Sequence, residues 1–443
     1  MRDYIVLAIL LGSVPVCFVY PYFGVLMWFW VSILTPHRYA WSIAHDFPAA
    51  AVIAIPTLLG SIFGRKNPHF LCREVILLVN LWLWFCVTVY YARQVPIFSD
   101  HVILAEDRLS QVSKILLMTI LTIVLVCSKQ KLKYLLMVVT FSFGILAVKG
   151  ALFGIATAGE YRVYGSPGSF IGDNNDFALA LNMTMAIPFF LARHTSGRLT
   201  RLALRAIFFC SIACVILSYS RGGLLGVTAA LSAIAVKGRK KLISLVLLVI
   251  AGITVFSYAP SKWVNRMDAF LHGNLDQSAE ERLTSWAFAW NLVKHYPLTG
   301  AGFECFTDEL YRSYGTRPFP NGATSSGPHS IYFQLLAEQG FVGTGLFFIL
   351  LGCCWFTLRK IRRIARRTPS LYYAVDYTHM LEIGMLAYLV SGAFLGRAYF
   401  DLYFFLVACT VVLKLLCKQE LLSMHIRDQE HREAVNEPEP VLA

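Results

Sequence analysis

The chain has 443 residues, of which 57% are hydrophobic and only 15% are charged. A soluble domain carries about a quarter charged residues, so this composition excludes a soluble enzyme, a disordered chain and a secreted disulfide scaffold. Much of the formal net charge of +13 lies in short basic segments between apolar runs, which indicates membrane topology and not binding to nucleic acid.

Apolar runs follow one another from Tyr4 to Leu416, and many are long enough to cross a hydrocarbon core of about 30 Å. They predict an all-α polytopic membrane protein. The predicted helices are 48–64, 74–92, 112–127, 132–154, 176–192, 202–219, 223–237, 242–258, 341–358, 372–395 and 400–417. Residues 4–34, which Pro15 and Pro21 interrupt, form either one kinked crossing or two short ones. An odd number of crossings keeps both termini in the cytoplasm, so we expect about twelve transmembrane helices.

The basic residues set the expected orientation, because short loops rich in Lys and Arg face the cytoplasm. The chain then divides into N-terminal transmembrane helices (1–258), a large outer loop (259–340), C-terminal transmembrane helices (341–417) and a cytoplasmic tail (418–443). The outer loop contains Trp263, Trp286 and Trp290, which can bury apolar surface. We therefore expect a partly helical cap over the outer face of the bundle.

The turn at 218–223 joins two predicted helices on the outer side, where the positive-inside rule disfavours Arg221. Gly222 and Gly223 leave backbone N–H groups accessible at the start of the next helix, where anions bind readily. A guanidinium at this position can bind a phosphate through two parallel hydrogen bonds. The alternative is that Arg221 only extends its side chain to the membrane interface.

Two further arginines are candidates for the outer side. Arg282 lies on a predicted helix with Trp286 one turn later, and it either faces a bound anion or pairs with a neighbouring glutamate at the surface. Arg162 lies in a loop of aromatic, glycine and amide residues, a composition suited to sugar stacking and hydroxyl recognition. The same loop is also a turn-rich connector in which Asp173 and Asn175 can cap the next helix.

A histidine near the end of the large loop, His329, is the fourth candidate. The segment 325–334 predicts a helix start, with Pro328 in the first turn and Ser326 or Gly327 as the N-cap. His329 then lies at a helix N-terminus, where the macrodipole disfavours the imidazolium. A neutral imidazole is what a general base requires. The alternative is a histidine that only makes local hydrogen bonds.

Several catalytic motifs are missing from the sequence. It contains no Asp-x-Asp pair, P-loop, Rossmann glycine pattern, His-Glu-x-x-His or Gly-x-Ser-x-Gly. We therefore expect no metal and no cofactor. If the protein handles a diphosphate, arginines must neutralise its charge.

Together these residues resemble a known family. The large late loop, Ser-x-Ser-Arg-Gly at 218–222 before it and Pro-His-Ser at 328–330 after it resemble the O-antigen ligases. These are bacterial inner-membrane glycosyltransferases of the same superfamily as O-antigen polymerases and protein O-oligosaccharyltransferases. The N-terminal strings at 21–24 and 36–38 resemble the exosortase-associated O-glycosylation ligases.

The resemblance implies a reaction on the periplasmic face of the cell inner membrane. The donor would be a polysaccharide on undecaprenyl diphosphate, and the acceptor a sugar hydroxyl of lipid A–core, both presented by membrane lipid. Transfer would be metal-independent and inverting, with His329 as the general base. Arg221, Arg282 and Arg162 would bind the diphosphate leaving group.

Other functions stay open at this point. An O-antigen polymerase or a protein O-oligosaccharyltransferase would use the same kind of donor. A transporter or flippase of lipid-linked glycans belongs to a different class, and polar residues within or near the spans would serve it. These polar residues are Asn80, Lys149, Asp376, His379 and Glu382, the last three of which could form a short interfacial segment before the penultimate helix.

Overall fold

The computed structural model describes residues 2–64, 67, 70–237, 277–319 and 322–436. These residues fold into α-helices and contain no β-strand, so the expected all-α class is confirmed for this part of the chain. The helices are α1 (Arg2–Val19), α2 (Pro21–Leu34), α3 (Ala49–Ser61), α4 (Arg73–Gln94), α5 (Val102–Leu125), α6 (Lys129–Ala156), α7 (Asn174–Thr184), α8 (Ala186–Leu191), α9 (Arg198–Leu217), α10 (Arg221–Lys237), α11 (Gln277–His295), α12 (Asp308–Tyr314), α13 (Ile331–Ala365), α14 (Tyr373–Gly392) and α15 (Asp401–Asn436). The helix predicted at 242–258 lies outside the described residues.

Seven spans in the described residues are long and apolar enough to cross a membrane, by length and composition. They are α1, α4, α5, α6, the α7–α8 pair, α9 and α13. Two further apolar helices, α2 with 14 residues and α3 with 13, are shorter. The chain is therefore a multi-pass membrane protein, whereas the total of twelve transmembrane helices stays a prediction.

The first two helices run in opposite directions. The carboxylate of Asp3, at the start of α1, accepts hydrogen bonds from the backbone N–H groups of Ser42 and Ala44, which follow the end of α2. The end of α1 packs on Gly60 at the far end of α3, where an added Cβ would lie 2.0 Å from the carbonyl oxygen of Phe18. Residues 4–34 therefore form two antiparallel helices that pass along the bundle, whereas the number of times this segment crosses the membrane stays a prediction. The break falls at Tyr20, where Pro21 starts the second helix.

Buried carboxylates and basic side chains meet at one end of the bundle. Glu382 of α14 accepts a hydrogen bond from Lys237 at the end of α10, with the atoms 2.6 Å apart, and another from Arg362 near the end of α13. Glu74, at the start of α4, pairs with Lys414 of α15. We call this end the basic end and the opposite end, where α3, α5, α10 and α13 begin, the site end.

A small helical cap packs on the site end. Within the described part of the large loop, α11 and α12 share an aromatic core in which the rings of Phe288 and Tyr311 stack with centroids 3.9 Å apart. The cap also contacts the segment between α4 and α5, because His101 Nε2 lies 2.9 Å from the carbonyl oxygen of Ala301. The cap therefore rests on the bundle over a packed apolar surface.

Helix α13 bends where it meets the cap. Gly340 has a φ of 62° inside the helix, and this left-handed residue marks a kink. Around it the cap backbone pairs with the helix backbone: the N–H of Ala301 donates to the carbonyl of Ala337, and the N–H of Phe341 donates to the carbonyl of Pro297, both at 2.8 Å. The kink thus fixes the end of the cap to the start of α13, next to the candidate site.

Candidate active site

His329 lies just before α13 and not inside its first turn. The helix begins at Ile331 with Ser330 as its N-cap residue, so the expected start around Pro328 is wrong by about three residues. His329 has a φ of 47°, a left-handed conformation that non-glycine residues rarely adopt. Its Nε2 lies 3.0 Å from the hydroxyl oxygen of Ser326. The backbone therefore folds back here and presents the ring beside the Ser326 hydroxyl.

The environment of His329 favours a neutral ring. Burial lowers the pKa of His329 below its usual range, and the positive charge of Arg282 lowers it further, against the opposing effect of Glu281. The neutral ring expected from the sequence is thus favoured by desolvation and by a cationic neighbour. A neutral imidazole beside a guanidinium can accept a proton near neutral pH.

Helix α11 places Arg282 near His329. The indole of Trp286, one turn further along α11, stacks on Phe333 of α13 with ring centroids 5.1 Å apart and an angle of 12° between the planes. Phe333 lies in the first turn of α13, four residues after His329. The stack therefore holds the arginine-bearing turn of the cap over the start of the helix that follows His329.

Arg221 is the first residue of α10. The turn before it is tight, since Tyr219 has a φ of 59° and its hydroxyl donates to the carbonyl of Gly159. The backbone N–H of Gly223 donates to the hydroxyl of Ser220 at 3.0 Å. This amide is capped within the protein, so the expectation that it is accessible to an anion is wrong. The guanidinium of Arg221 is left as the main candidate for anion binding at this turn.

One loop, residues 393–400 between α14 and α15, contacts the regions around Arg221, Arg282 and His329. A Cβ added at Gly222 would lie 3.2 Å from the Cβ of Phe394, and the rings of Phe394 and Trp286 have centroids 6.5 Å apart. A Cβ added at Gly396 would lie only 2.4 Å from Pro328 and 3.3 Å from the backbone nitrogen of His329. The start of α10, the middle of α11 and the residues just before α13 therefore converge on this loop, which brings the regions of Arg221, Arg282 and His329 together.

Arg162 is placed differently from the other candidates. It lies in an exposed stretch whose next residue, Val163, donates its backbone N–H to the carbonyl of Leu217 at the end of α9. Burial and Glu160 raise the pKa of Tyr219, and Arg162 opposes this shift. Arg162 therefore lies beside the turn that precedes Arg221, at the edge of the candidate active site.

Arg397, in the 393–400 loop, was not among the site residues predicted from the sequence. The Nε of Arg397 donates to Oδ1 of Asp176 at 2.7 Å, and a second guanidinium nitrogen donates to Oδ2 of the same carboxylate. The side chain of Asp176 is 5% exposed, so this bidentate pair fixes the loop to the start of α7. The argument that singled out Arg221, an arginine on the outer side, would also have found Arg397.

Two buried polar side chains of α13 hold the loop and the cap that surround the site. Gln334 of α13 accepts a hydrogen bond from the backbone N–H of Ala398 at 3.0 Å, and Glu338 accepts one from the backbone N–H of Glu304 at 3.2 Å. Gln334 therefore fixes the 393–400 loop, and Glu338 fixes the cap. Both side chains therefore act on the position of the site.

The comparison with known families divides the chain into two parts. Residues 206–348 match a family described as O-antigen ligase, and residues 1–196 match a family of unknown function. No curated protein matches the chain. The ligase match includes Arg221, Arg282 and His329, whereas Arg162 lies in the other one. The segment 206–348, which contains the described part of the cap and the start of α13, is thus similar to the O-antigen ligase family.

Proposed function

We propose that this protein transfers a polysaccharide from undecaprenyl diphosphate to a sugar hydroxyl of lipid A–core, on the periplasmic face of the inner membrane. The observation that carries the proposal is the convergence of the half-buried His329 and the regions of Arg221 and Arg282 on the 393–400 loop. The positive charge of Arg282 and burial both lower the pKa of His329, which favours a neutral ring. The family match supports the reaction class.

The proposed step is an inverting displacement at the anomeric carbon of the donor. The acceptor hydroxyl attacks this carbon, the bond from carbon to the phosphate oxygen breaks, and undecaprenyl diphosphate leaves. The proton of the acceptor hydroxyl passes to the unprotonated ring nitrogen of the neutral His329. Arg221 and Arg282 stabilise the negative charge that grows on the diphosphate, and Arg162 contributes from the edge of the site.

The polar residues behind the transport alternative support a different role. Asp376, His379 and Glu382 all lie within α14 and do not form a separate interfacial segment. Asp376 accepts from His194 at 2.9 Å and also pairs with Arg193, at the basic end. These carboxylates are matched by cations within the bundle, as expected of structural ion pairs.

The test uses the purified protein with undecaprenyl-diphosphate-linked polysaccharide, in the presence of a chelator. Lipid A–core is supplied in one reaction and left out of the other. The proposal predicts glycan on lipid A–core in the first reaction and no product in the second. Elongation of the donor without lipid A–core would identify a polymerase, and the absence of any transfer by folded protein would contradict the proposal.

A further inference from the structure

One face of α7 contacts the segment that carries Arg221. Asn174, Ala178 and Asn182 are spaced four residues apart, so their side chains lie along the same face of this helix. The two asparagines are buried, with exposed fractions of 4% and 0%. A buried amide is destabilising unless it is hydrogen-bonded, so each of them requires a partner across the helix interface.

Asn174 holds the chain just before Arg221. Its Nδ2 donates to the carbonyl of Ser218 at 2.7 Å. Ser218 is the C-cap residue of α9, where the last carbonyl groups of a helix lack partners within the helix. The tight turn with its left-handed Tyr219 follows directly. The amide of Asn174 therefore fixes the point from which this turn starts, three residues before Arg221.

Asn182 holds the chain just after Arg221. Its Nδ2 donates to the carbonyl of Gly223 at 2.8 Å and to the hydroxyl of Ser391 in α14 at 3.2 Å. The helices also pack closely here, because a Cβ added at Gly223 would lie 2.8 Å from the Cβ of Ala178. The first turn of α10 is therefore fixed to α7 two residues after Arg221.

The backbone around Arg221 is thus held on both sides by amides of one helix. We propose that Asn174 and Asn182 are positioning residues, which fix Arg221 so that its guanidinium reaches the diphosphate. Because Arg221 binds that group in the proposed function, the role of both asparagines rests on that function. Both lie within 1–196, the part of the chain that matches a family of unknown function, and they give this part a role in the site.

Positioning of Arg221 can be separated from general stabilisation of the fold. A bond that only stabilises the fold has the same effect on ligand affinity whether or not the guanidinium of Arg221 is present. A bond that positions the guanidinium loses this effect once the guanidinium is removed, so the effects of the two substitutions are not additive. Asn174→Leu and Asn182→Leu remove the amide donors and keep side chains of similar size.

Equilibrium binding of undecaprenyl diphosphate to the full-length protein in detergent micelles, below the melting temperature of every variant, tests this role. Arg221→Gln should weaken binding by at least about tenfold, through the loss of charge-assisted hydrogen bonds. Asn174→Leu and Asn182→Leu should each weaken binding by about tenfold in the wild-type background, because the guanidinium is displaced from the diphosphate. In the Arg221→Gln background each should change the affinity by less than about twofold.

Asn67→Leu is the matched control. Asn67 is also buried, with 1% exposed, and its Nδ2 donates to the carbonyls of Ile123 and Val126 at 2.9 and 3.2 Å. These carbonyls lie at the end of α5, away from the site end. The control should lower the melting temperature, as Asn174→Leu does, and leave the affinity unchanged.

Three results would overturn the positioning role and leave the proposed function standing. They are equal weakening by the asparagine variants in both backgrounds, unchanged affinity in both folded variants, and a loss of affinity in Asn67→Leu as large as that in Asn174→Leu. Absence of binding by the folded wild-type protein would instead contradict the proposed function, and the positioning role with it.

Discussion

His329 has a backbone conformation that a histidine adopts only at an energetic cost. A left-handed φ costs a non-glycine residue about 1–2 kcal/mol, and residues held in this way are concentrated at functional sites. Two contacts hold it: the ring nitrogen lies beside the Ser326 hydroxyl, and Gly396 allows the 393–400 loop to pack closely on Pro328. The position of the imidazole is therefore fixed by contacts on both sides before any substrate binds.

The rate of glycan transfer should depend on pH through His329. The pKa of His329 lies below its usual value of 6.5, so the base is neutral above that pH and transfer should be lost only as the pH falls below it. Arg282→Gln removes one of the two effects that lower this pKa, so the acid limb of the pH–rate profile should move to higher pH. The pKa of His329 should rise only partway toward its usual value, because burial still lowers it. The profile of kcat/KM between pH 4.5 and 8 measures the shift.

Arg282→Lys is the matched control for this prediction. It keeps the positive charge, so the acid limb should stay close to that of the wild-type protein even if the rate falls through loss of bidentate phosphate binding. An acid limb that stays in place in Arg282→Gln would show that this arginine does not act on the catalytic base.

At the scale of elements, the kink in α13 connects the cap to the bundle. Glycine is required at position 340 for two reasons. Its φ is positive, and a Cβ there would lie 2.2 Å from the carbonyl oxygen of Leu298. The backbone hydrogen bonds around the kink then align the cap segment 297–304 with α13. A change at this glycine therefore acts on the position of the cap without touching the predicted catalytic side chains.

Gly340→Ala should destabilise the protein by about 2 kcal/mol or more, through the left-handed backbone and the clash with the Leu298 carbonyl. Gly345→Ala is the control in the same helix, since an added Cβ there meets nothing within 4 Å. This control should stabilise the helix by up to about 1 kcal/mol, because alanine has the higher helix propensity. Thermal melting of both variants in detergent measures the difference, and equal melting temperatures would contradict the role of the kink.

Helix positions followed from the apolar periodicity far better than the contacts between helices. The predicted span 202–219 corresponds to α9 and 372–395 to α14, because long apolar runs have few alternatives in a membrane. Arg397 could have been singled out from the sequence, but the convergence of three helices on the 393–400 loop could not. Its role depends on packing against Gly222, Trp286 and Pro328, which are distant in sequence.

At the scale of the whole molecule, the two ends of the bundle differ in chemistry. The ion pairs of Glu74 and Glu382 lie at the basic end, and His329 and the cap lie at the other. The positive-inside rule then predicts that the site end faces the periplasm. Because α1 and α2 are antiparallel, the same rule places the N-terminus on the periplasmic side, on the opposite side of the membrane from the break at Tyr20.

Epitope tags at three positions test this topology. A tag at the N-terminus and a tag inserted within 42–46 should be reached by antibody in cells with a permeabilised outer membrane, because Asp3 contacts the backbone of Ser42 and Ala44. A tag inserted after Tyr20 should be reached only after the inner membrane is also opened. An N-terminal tag that is protected while the 42–46 tag is accessible would instead support one kinked crossing.

The twelve-helix topology counted from the sequence depended on a single ambiguous segment. Pro15 and Pro21 both interrupt residues 4–34, and nothing local shows which proline bends a helix and which starts a new one. The structure shows Pro15 inside α1 and Pro21 at the start of α2. The hydrogen bonds of Asp3 to the segment after α2 decide the direction, and such a contact is not visible in an apolar pattern.

The most direct test of the account is the transfer rate of His329→Asn. Asparagine tolerates a left-handed φ better than most other non-glycine residues, so this variant removes the base and keeps the backbone. The account predicts a loss of transfer to lipid A–core of about 10²–10⁴-fold, with a melting temperature close to that of the wild-type protein. Transfer at the wild-type rate by folded His329→Asn would contradict the assignment of His329 as the general base.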